Sequence, residues 1–419
     1  MTPQIKQRIE QIRRGEVPEG YKKTKVGIVP NEWKETTVDK CVIEYVEKTT
    51  VENQYPVLTS ARSGLMLQSE YYSNNQVTTN DNVGYNVLPR GYVTYRSRSD
   101  DGRFRFNENQ IIDRGIISYF YPVFSFKTNV SHNFMLCLLN HTIYRQSYSF
   151  VEGTAQQVLS FKKLGSLKYC LPSLHEQQEI AEILSAQDKL IALKEKLIEK
   201  KKLQKKALMQ QLLTGKKRLP GFEDSWEMCV LKTMATPILR KVGIGQYEIL
   251  SISAGLGFVN QAQKFGKEIA GEQYKNYTVL HKYDFSYNKG NSKRYPQGCI
   301  YPLENRDRAA VPNVFISFNL NETRCFYGFY KYLFESGYLN KQLYRLINSG
   351  VRNDGLLNLY DSDFYNCVIP VPSYDEQKKI ANIFFALDKE IISLENILQA
   401  EKQKKKALMQ LLLTGIVRV

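Results

Sequence analysis

Two long amphipathic helices are predicted by the spacing of apolar residues along the chain. In two segments these residues recur at alternating steps of four and three, the spacing of a coiled-coil seam. Both segments run for about 39 residues without Pro or Gly, and both end at Thr-Gly, a sequence typical of a glycine C-cap. The seam positions are Ile380, Phe384, Leu387, Ile391, Leu394 and Leu398 in the second segment, and Ile180, Leu184, Gln187, Ile191, Lys194 and Ile198 in the first.

The two helical segments are copies of one sequence. Residues 172–215 recur without a gap at 372–415, and residues 5–15 match the end of a copy at 205–215. Weaker matches link the regions between the helices, for example YNVL at 85–88 and YTVL at 277–280. The repeats predict two copies of one globular domain, each followed by one helix.

The intervening domains are predicted to be mixed α/β folds, because both contain strand-like aromatic runs and helical patterns. Since the chain alternates domain and helix, the two helices can pair within one monomer only if they are antiparallel, which predicts an approximate two-fold axis. Core packing in a large domain and a homodimeric coiled coil remain alternatives. Strands are predicted at 92–95, 116–120, 284–287 and 313–318, and helices at 132–139 and 329–346. The predicted divisions are an N-terminal helical segment at 1–20, globular domains at 21–171 and 217–370, and helices at 172–216 and 371–419.

The chain is strongly basic. Its 419 residues include 58 Lys and Arg against 42 Asp and Glu, giving a formal net charge of +16. A surplus of this size attracts polyanions, and nucleic acid is the leading candidate. No apolar stretch approaches the ~18 residues that span a bilayer, and the first residues do not resemble a signal peptide, so we expect a cytoplasmic protein. The seven cysteines are scattered without a C-x-x-C pair, and we expect reduced, packing residues.

The usual catalytic motifs are missing from the sequence. It has no phosphate-binding G-x-x-x-x-G-K-[ST], no G-x-S-x-G elbow and no H-E-x-x-H. It also has no Pro-Pro pair, which the base-gripping motif of an adenine methyltransferase requires. We therefore expect no catalytic, cofactor-binding or metal-binding residues in this chain.

Matched basic loops are the predicted DNA-reading surfaces of the two domains. In each domain a strand runs into a loop rich in groups that bind phosphates and base edges, where Arg pairs with guanine and Asn or Gln with adenine. A solvated basic loop is the alternative, but the loops differ where the helices match, which favours the reading of different bases. The predicted contacts are Arg90, Tyr95, Arg96, Arg98, Arg103 and Arg105 in the first domain, and Tyr287, Asn288, Lys289, Asn291, Ser292, Lys293 and Arg294 in the second.

These features resemble the specificity subunit of type I restriction-modification systems. Both helices carry the pattern P-x-x-x-E-Q…I-A…D…K-x-A-L-M-Q-x-L-L-T-G, which is characteristic of that family. The segments VPNEW at 29–33 and LPGFEDSW at 219–226 are similar to the start of its target recognition domains. The resemblance covers essentially the entire chain and thins inside the recognition domains.

The resemblance implies a non-catalytic subunit that binds a bipartite, asymmetric DNA sequence. Each recognition domain would read one half-site of double-stranded DNA, and the helical pair would set the spacer. Two methyltransferase subunits and two translocase and nuclease subunits are the implied partners. S-adenosylmethionine, ATP and Mg are expected on those partners and not on this chain. The rival classes are a sequence-independent basic DNA-binding scaffold with a coiled-coil rod and a self-contained DNA-modifying enzyme.

The helix ends carry more Leu and Met than two paired helices need. We expect them to dock one methyltransferase subunit each, with packing against the recognition domains as the alternative. The predicted partner-binding residues are Leu208, Met209, Leu212 and Leu213 on the first helix, and Leu408, Met409, Leu412 and Leu413 on the second.

Overall fold

The chain forms two compact units, each of which takes part of both long helices. A computed structural model describes residues 2–72, 82–147, 157–266, 271–290, 295–347 and 357–419. One unit comprises Met1–Lys194 and Ile397–Val419, and the other comprises Glu195–Asn396. Each unit therefore contains one globular domain, the beginning of one long helix and the end of the other. The domain boundaries expected from the sequence stay predictions.

In its described residues the first unit is built from short antiparallel strands, five α-helices and the end of the second long helix. The helices are α1 (Pro3–Arg13), α2 (Gln68–Tyr71), α3 (His132–Ser147), α4 (Phe161–Gly165) and α5 (Leu174–Leu212), of which α5 continues into the second unit. The strands are β1 (Tyr21–Thr24), β2 (Gly27–Pro30), β3 (Lys34–Thr37), β4 (Val42–Glu44), β5 (Leu58–Ala61), β6 (Gly64–Leu67), β7 (Asn86–Pro89), β8 (Val93–Tyr95), β9 (Arg98–Ser99), β10 (Phe106–Glu108), β11 (Arg114–Ile117), β12 (Val123–Phe126), β13 (Gln157–Val158) and β14 (Lys168–Leu171).

A four-stranded antiparallel sheet forms the core of the first unit. Its strand order is β10-β8-β12-β4. Alternate side chains of a strand point to opposite faces, and the rings of Tyr95, Phe106 and Phe124 are buried together with Phe134 of α3. The hairpin β5–β6 lies beside the separate pair β7–β11, to which a parallel bridge joins it. This hairpin contributes to the candidate site described below.

The second unit repeats this architecture. Its helices are α6 (Leu231–Met234), α7 (Gln261–Phe265), α8 (Tyr327–Glu335), α9 (Asn340–Leu346), α10 (Asp361–Tyr365) and α11 (Tyr374–Leu412), of which α11 continues into the first unit. Its strands are β15 (Glu227–Val230), β16 (Ala235–Pro237), β17 (Leu250–Ser253), β18 (Gly257–Asn260), β19 (Thr278–His281), β20 (Phe285–Asn288), β21 (Cys299–Pro302), β22 (Arg308–Val311), β23 (Ile316–Leu320) and β24 (Val368–Val371).

Strand order in the second unit matches that in the first. The sheet β21-β20-β23-β16 corresponds to β10-β8-β12-β4, and the pair β19–β22 corresponds to β7–β11. The parallel bridge between Ile249 and Ala310 corresponds to the bridge between Val57 and Ile116. The predicted duplication of one mixed α/β domain is therefore confirmed.

A glutamine near the start of each long helix ties that helix to its domain. The Gln377 side chain donates a hydrogen bond to the carbonyl of Pro372 at 2.8 Å and accepts one from the Phe326 N–H at 2.7 Å. Gln177 repeats the arrangement, donating to the carbonyl of Pro172 at 3.0 Å and accepting from the Ser131 N–H at 2.9 Å. Because both glutamines are buried, these bonds are shielded from water.

The helical segments within each unit are joined by polar contacts. Each predicted seam position is buried or half-buried, including Gln187, whose amide bonds the Glu401 carboxylate. In the second unit residue numbers rise along one segment as they fall along the other, because Lys201 pairs with Glu390 and Lys205 with Asp388. The contacts in the second unit are Lys201–Glu390 at 2.8 Å, Lys202–Glu395 at 2.7 Å and Lys205–Asp388 at 2.8 Å, and those in the first are Gln187–Glu401 at 2.8 Å and Asp188–Lys405 at 2.5 Å.

One predicted helix differs from the structure. The pattern at 329–346 predicted a single helix, but α8 and α9 are separate because Gly337 lies between them in the left-handed region, with φ 76°. A helix cannot continue through that conformation. In the described parts of the chain, every helix falls short of the length or the apolar character that crossing a bilayer requires.

Candidate nucleic-acid interface

Five arginines line one groove on the first unit. Two clefts of about 520 and 330 Å³ share Thr59, Tyr72, Arg96, Arg98 and Tyr121 among their lining residues, so they form one continuous depression. We call this surface the arginine groove. Its arginines are Arg62, Arg96, Arg98, Arg103 and Arg105, and its most exposed aromatic residues are Tyr71 and Tyr72.

Strand alternation brings two of the predicted arginines to the groove. Tyr95 at the end of β8 is fully buried in the core, whereas Arg96 and Arg98 are exposed and line both clefts. In an extended segment, residues two apart lie on one face. The buried tyrosine therefore anchors the strand, and the arginines on either side of Ser97 project into the groove.

The hairpin β5–β6 adds residues that sequence reasoning missed. Arg62 lies in the turn of this hairpin, which is held against β10 because the buried Asn107 amide bonds the Ser60 hydroxyl at 2.8 Å and the Ala61 carbonyl at 2.9 Å. Tyr71 and Tyr72, at the end of α2, pack edge to face at 4.8 Å. The sequence signals were an arginine in a Ser-Gly turn and a tyrosine pair, but only the fold places them beside Arg96.

One aspartate partly offsets the positive charge of the groove. Asp101 bonds Arg62 at 2.6 Å and lies 3.9 Å from Arg103. Desolvation raises the pKa of Asp101, but hydrogen bonds from the Arg103 N–H, the Ser99 hydroxyl and Arg62 outweigh it, and the pKa is lowered. The groove remains positive because its five arginines outnumber Asp100 and Asp101.

Arg98 stacks on an aromatic ring. Its guanidinium carbon lies 4.0 Å from the centre of the Phe120 ring. Such stacking covers the face of the guanidinium and leaves its N–H donors at the edge. Among the described residues, Arg96 and Arg98 have no carboxylate partner. Both are therefore available to an anionic or base-edge ligand.

One of the predicted contacts in the first domain requires correction. Tyr95 is fully buried, and its hydroxyl donates to the Leu159 carbonyl at 3.0 Å, so it cannot contact DNA without leaving the core. Arg90 is exposed outside the groove, where it pairs with Asp113 at 2.9 Å and bonds the Gln110 carbonyl at 2.7 Å. Arg90, Arg96, Arg98, Arg103 and Arg105 remain as predicted contacts.

The predicted loop of the second domain mostly has structural roles where it is described. Tyr287 is fully buried and stacks on Phe364, which excludes it as a DNA contact. Asn288 bonds the Ile252 carbonyl at 3.3 Å and the Gly290 N–H at 2.9 Å, so one donor and one acceptor already serve the loop. The side chain of Lys289 is 14% exposed and pairs with an aspartate at 3.5 Å. Asn291, Ser292, Lys293 and Arg294 lie outside the described residues.

The eight predicted partner-binding residues pack against the recognition domains of their own chain. For the five that are buried, the alternative interpretation replaces the docking prediction, because a side chain within a hydrophobic core offers no surface to another subunit. For Leu208, Leu408 and Met409, which are half-buried, docking stays a prediction. Met209, Leu212 and Leu213 are buried in the core of the second unit, with Leu208 partly buried against it; Leu412 and Leu413 are buried in the core of the first, with Leu408 and Met409 partly buried against it.

Comparison with known proteins identifies the family. The family model described as "Type I restriction modification DNA specificity domain" matches residues 35–202 and 260–402. The chain belongs to this family. The resemblance inferred from the repeated helices, to the specificity subunit of a type I restriction-modification system, is confirmed.

Similar proteins support the assignment along the whole chain. A putative type I restriction enzyme MjaX specificity subunit from Methanocaldococcus jannaschii is 24% identical, covering 96% of this chain and 97% of that protein. The MjaVIII specificity subunit of the same organism is 28% identical over 65% of this chain and 67% of its own length.

Solved structures show the same fold. The S subunit of a type I restriction-modification system from M. genitalium has a TM-score of 0.51 and 15% identity, covering 91% of this chain and 96% of that one. A chain solved in work on complex assembly and conformational transition of the type I system has a TM-score of 0.54 and 13% identity, covering 93% and 99%.

Proposed function

We propose that this specificity subunit reads a bipartite, asymmetric sequence in double-stranded DNA, with one half-site bound by each recognition domain. The recognition domains are those at 21–171 and 217–370. The arginine groove carries the proposal, because it places arginines and tyrosines on one exposed surface of a domain whose fold is duplicated in the chain. Such groups bind phosphates and base edges. The sequence-independent scaffold is not favoured, because the chain belongs to a family of DNA specificity domains.

The proposal assigns no catalytic step to this chain. Two methyltransferase subunits would bind S-adenosylmethionine and methylate adenine N6 in each half-site, and two translocase and nuclease subunits would use ATP and Mg. The methyltransferase subunits would dock on α5 and α11 through apolar residues that are exposed in this chain. Leu193 at 65% exposure, Leu203 at 58% and Ile392 at 58% support such a surface.

The long helices are proposed to form an antiparallel coiled coil that sets the spacer between the half-sites, with an approximate two-fold axis relating the two domains. Each helix is unbroken over 39 residues. The opposite chain directions of the two helical segments in the second unit support this arrangement.

Methylome sequencing tests the proposal. The chain would be produced together with a methyltransferase subunit of its system in a host that lacks adenine methylation. We expect N6-methyladenine in both halves of one bipartite motif. A matched culture without this chain should show none. A continuous motif, or methylation that does not need this chain, would contradict the proposal.

A further inference from the structure

We infer that Arg98 reads a guanine through the major groove of the half-site bound by the first recognition domain, whereas Arg62 and Arg103 contact phosphates. This inference rests on the proposed function and deepens it. The arginines of the groove are assigned different contacts because their guanidinium groups are held differently by the surrounding residues.

Reading guanine requires an arginine whose orientation is fixed before binding. The guanidinium must present two parallel N–H donors to O6 and N7 of the base. Stacking on Phe120 at 4.0 Å fixes the plane of the Arg98 guanidinium. Among the described residues, no oxygen accepts a hydrogen bond from the Arg98 guanidinium, so its donor edge is free.

The backbone that carries Arg98 is also held on both sides. Arg98 pairs with Val158 in the short sheet β9–β13. The neighbouring Ser97 donates its N–H to the Phe120 carbonyl at 3.0 Å and accepts from the Leu159 N–H at 2.9 Å. A side chain on such a segment loses little conformational freedom on binding, which favours specific recognition.

Arg62 and Arg103 are held differently. Their side chains are 65% and 66% exposed, and both lie near the Asp101 carboxylate. An exposed, partly compensated guanidinium suits a phosphate contact, which needs charge more than a fixed plane. These two residues therefore contribute to affinity and not to the choice of base.

The second domain lacks an arginine at the corresponding position. Thr94 pairs with Val123 in the first core sheet, as Ser286 pairs with Ser317 in the second. This register aligns Tyr95 with Tyr287 and therefore Arg98 with Gly290. The second half-site cannot be read by an equivalent of Arg98, which agrees with an asymmetric target.

Substitution of single guanines tests the inference in the assembled methyltransferase complex. Each guanine of the methylated motif is replaced in turn by 7-deazaguanine, which lacks the N7 acceptor. One replacement should weaken binding by the wild-type complex about 10- to 150-fold, the range of one hydrogen bond to a charged group, because N7 is lost while O6 remains. Arg98→Met keeps an unbranched side chain but has no N–H donor, so it should bind the natural site at least as weakly and lose nothing further at that guanine.

Arg62→Met is the matched control, because it makes the same exchange at an arginine assigned to phosphate. It should weaken binding to all sequences but keep the guanine sensitivity of the wild type, and both variants should keep the wild-type melting temperature. Equal sensitivity of the wild type and Arg98→Met at every guanine would overturn the inference, as would a motif without guanine. Methylome sequencing with the same complex tests the proposed function separately. A bipartite methylated motif would show that the proposed function still holds, whereas its absence would refute both the proposed function and this inference.

Discussion

Replacing Glu376 by Gln tests how the second recognition domain is anchored to its helix. The Glu376 carboxylate is fully buried and accepts two hydrogen bonds from Arg218, both at 2.8 Å, and one from the Trp226 indole at 2.9 Å. Glutamine has nearly the same shape but no charge. Its amide nitrogen would face an N–H donor of Arg218 or Trp226, so at least one bond is lost.

The expected loss in the free energy of unfolding depends on how exposed Arg218 is. Removing one partner of a buried ion pair costs about 3 to 5 kcal/mol. Because the Arg218 side chain is 25% exposed, water can hydrate part of the charge that loses its partner. We therefore expect a loss at the lower end of this range. About 3 kcal/mol corresponds to a fall of about 6 to 12 °C in melting temperature for a unit of about 200 residues.

Glu176→Gln in the first unit is the matched variant. Glu176 accepts two bonds from Arg418, but Arg418 also pairs with Glu32 at 2.8 Å. The indole nitrogen of Trp33 is buried without a partner among the described residues, so it does not add a bond to Glu176 as Trp226 does to Glu376. We expect a smaller loss of about 1 to 2 kcal/mol.

Differential scanning calorimetry measures the total loss of stability, and hydrogen–deuterium exchange shows which unit has become less stable. The exchange should rise in the second unit for Glu376→Gln and in the first for Glu176→Gln. Equal losses in the two variants, or a change below about 1 °C for Glu376→Gln, would refute the reasoning.

Three further predictions concern the helices and the thiols. Leu193→Arg should keep the melting temperature and weaken association with the methyltransferase subunit in a pull-down, since Leu193 is exposed. Leu413→Arg should lower the melting temperature, because it buries a charge. The reverse pattern would contradict the exposure of Leu193 and the burial of Leu413. Inserting four residues in both helices, after Glu199 and after Asn396, should lengthen each helix by about 6 Å and lengthen the spacer of the methylated motif by about one or two base pairs. An unchanged spacer would refute the proposal that the helices set the spacer. Six of the seven cysteines are buried, and burial raises the pKa of these thiols, that of Cys299 to about 11. These six should therefore resist DTNB at pH 8 until the protein unfolds, and rapid reaction of several in the native protein would contradict this.

Features that depend on local backbone geometry could be predicted from the amino-acid pattern alone. The four-three spacing located both long helices, and polar Gln187 at a seam position is buried as its place in the pattern requires. The glycines at the Thr-Gly ends adopt left-handed conformations, with φ 69° at Gly215 and 71° at Gly415. Duplication of the domains was also visible, since repeated sequence folds into repeated strands. The helical spacing and the glycine ends follow from interactions between residues close in the chain.

The identity of the buried surfaces and of the residues that meet became clear from the folded chain. A leucine at helical spacing looks the same whether it enters a core or faces a partner, and Leu413 is buried whereas Leu193 is exposed. Tyr95 follows the same rule, because its place in the core depends on rings from other strands. Arg62 joins Arg98 only because a hairpin folds beside the sheet. Burial and site assembly depend on pairs of surfaces that are distant in the chain, and local sequence does not specify which pairs will meet.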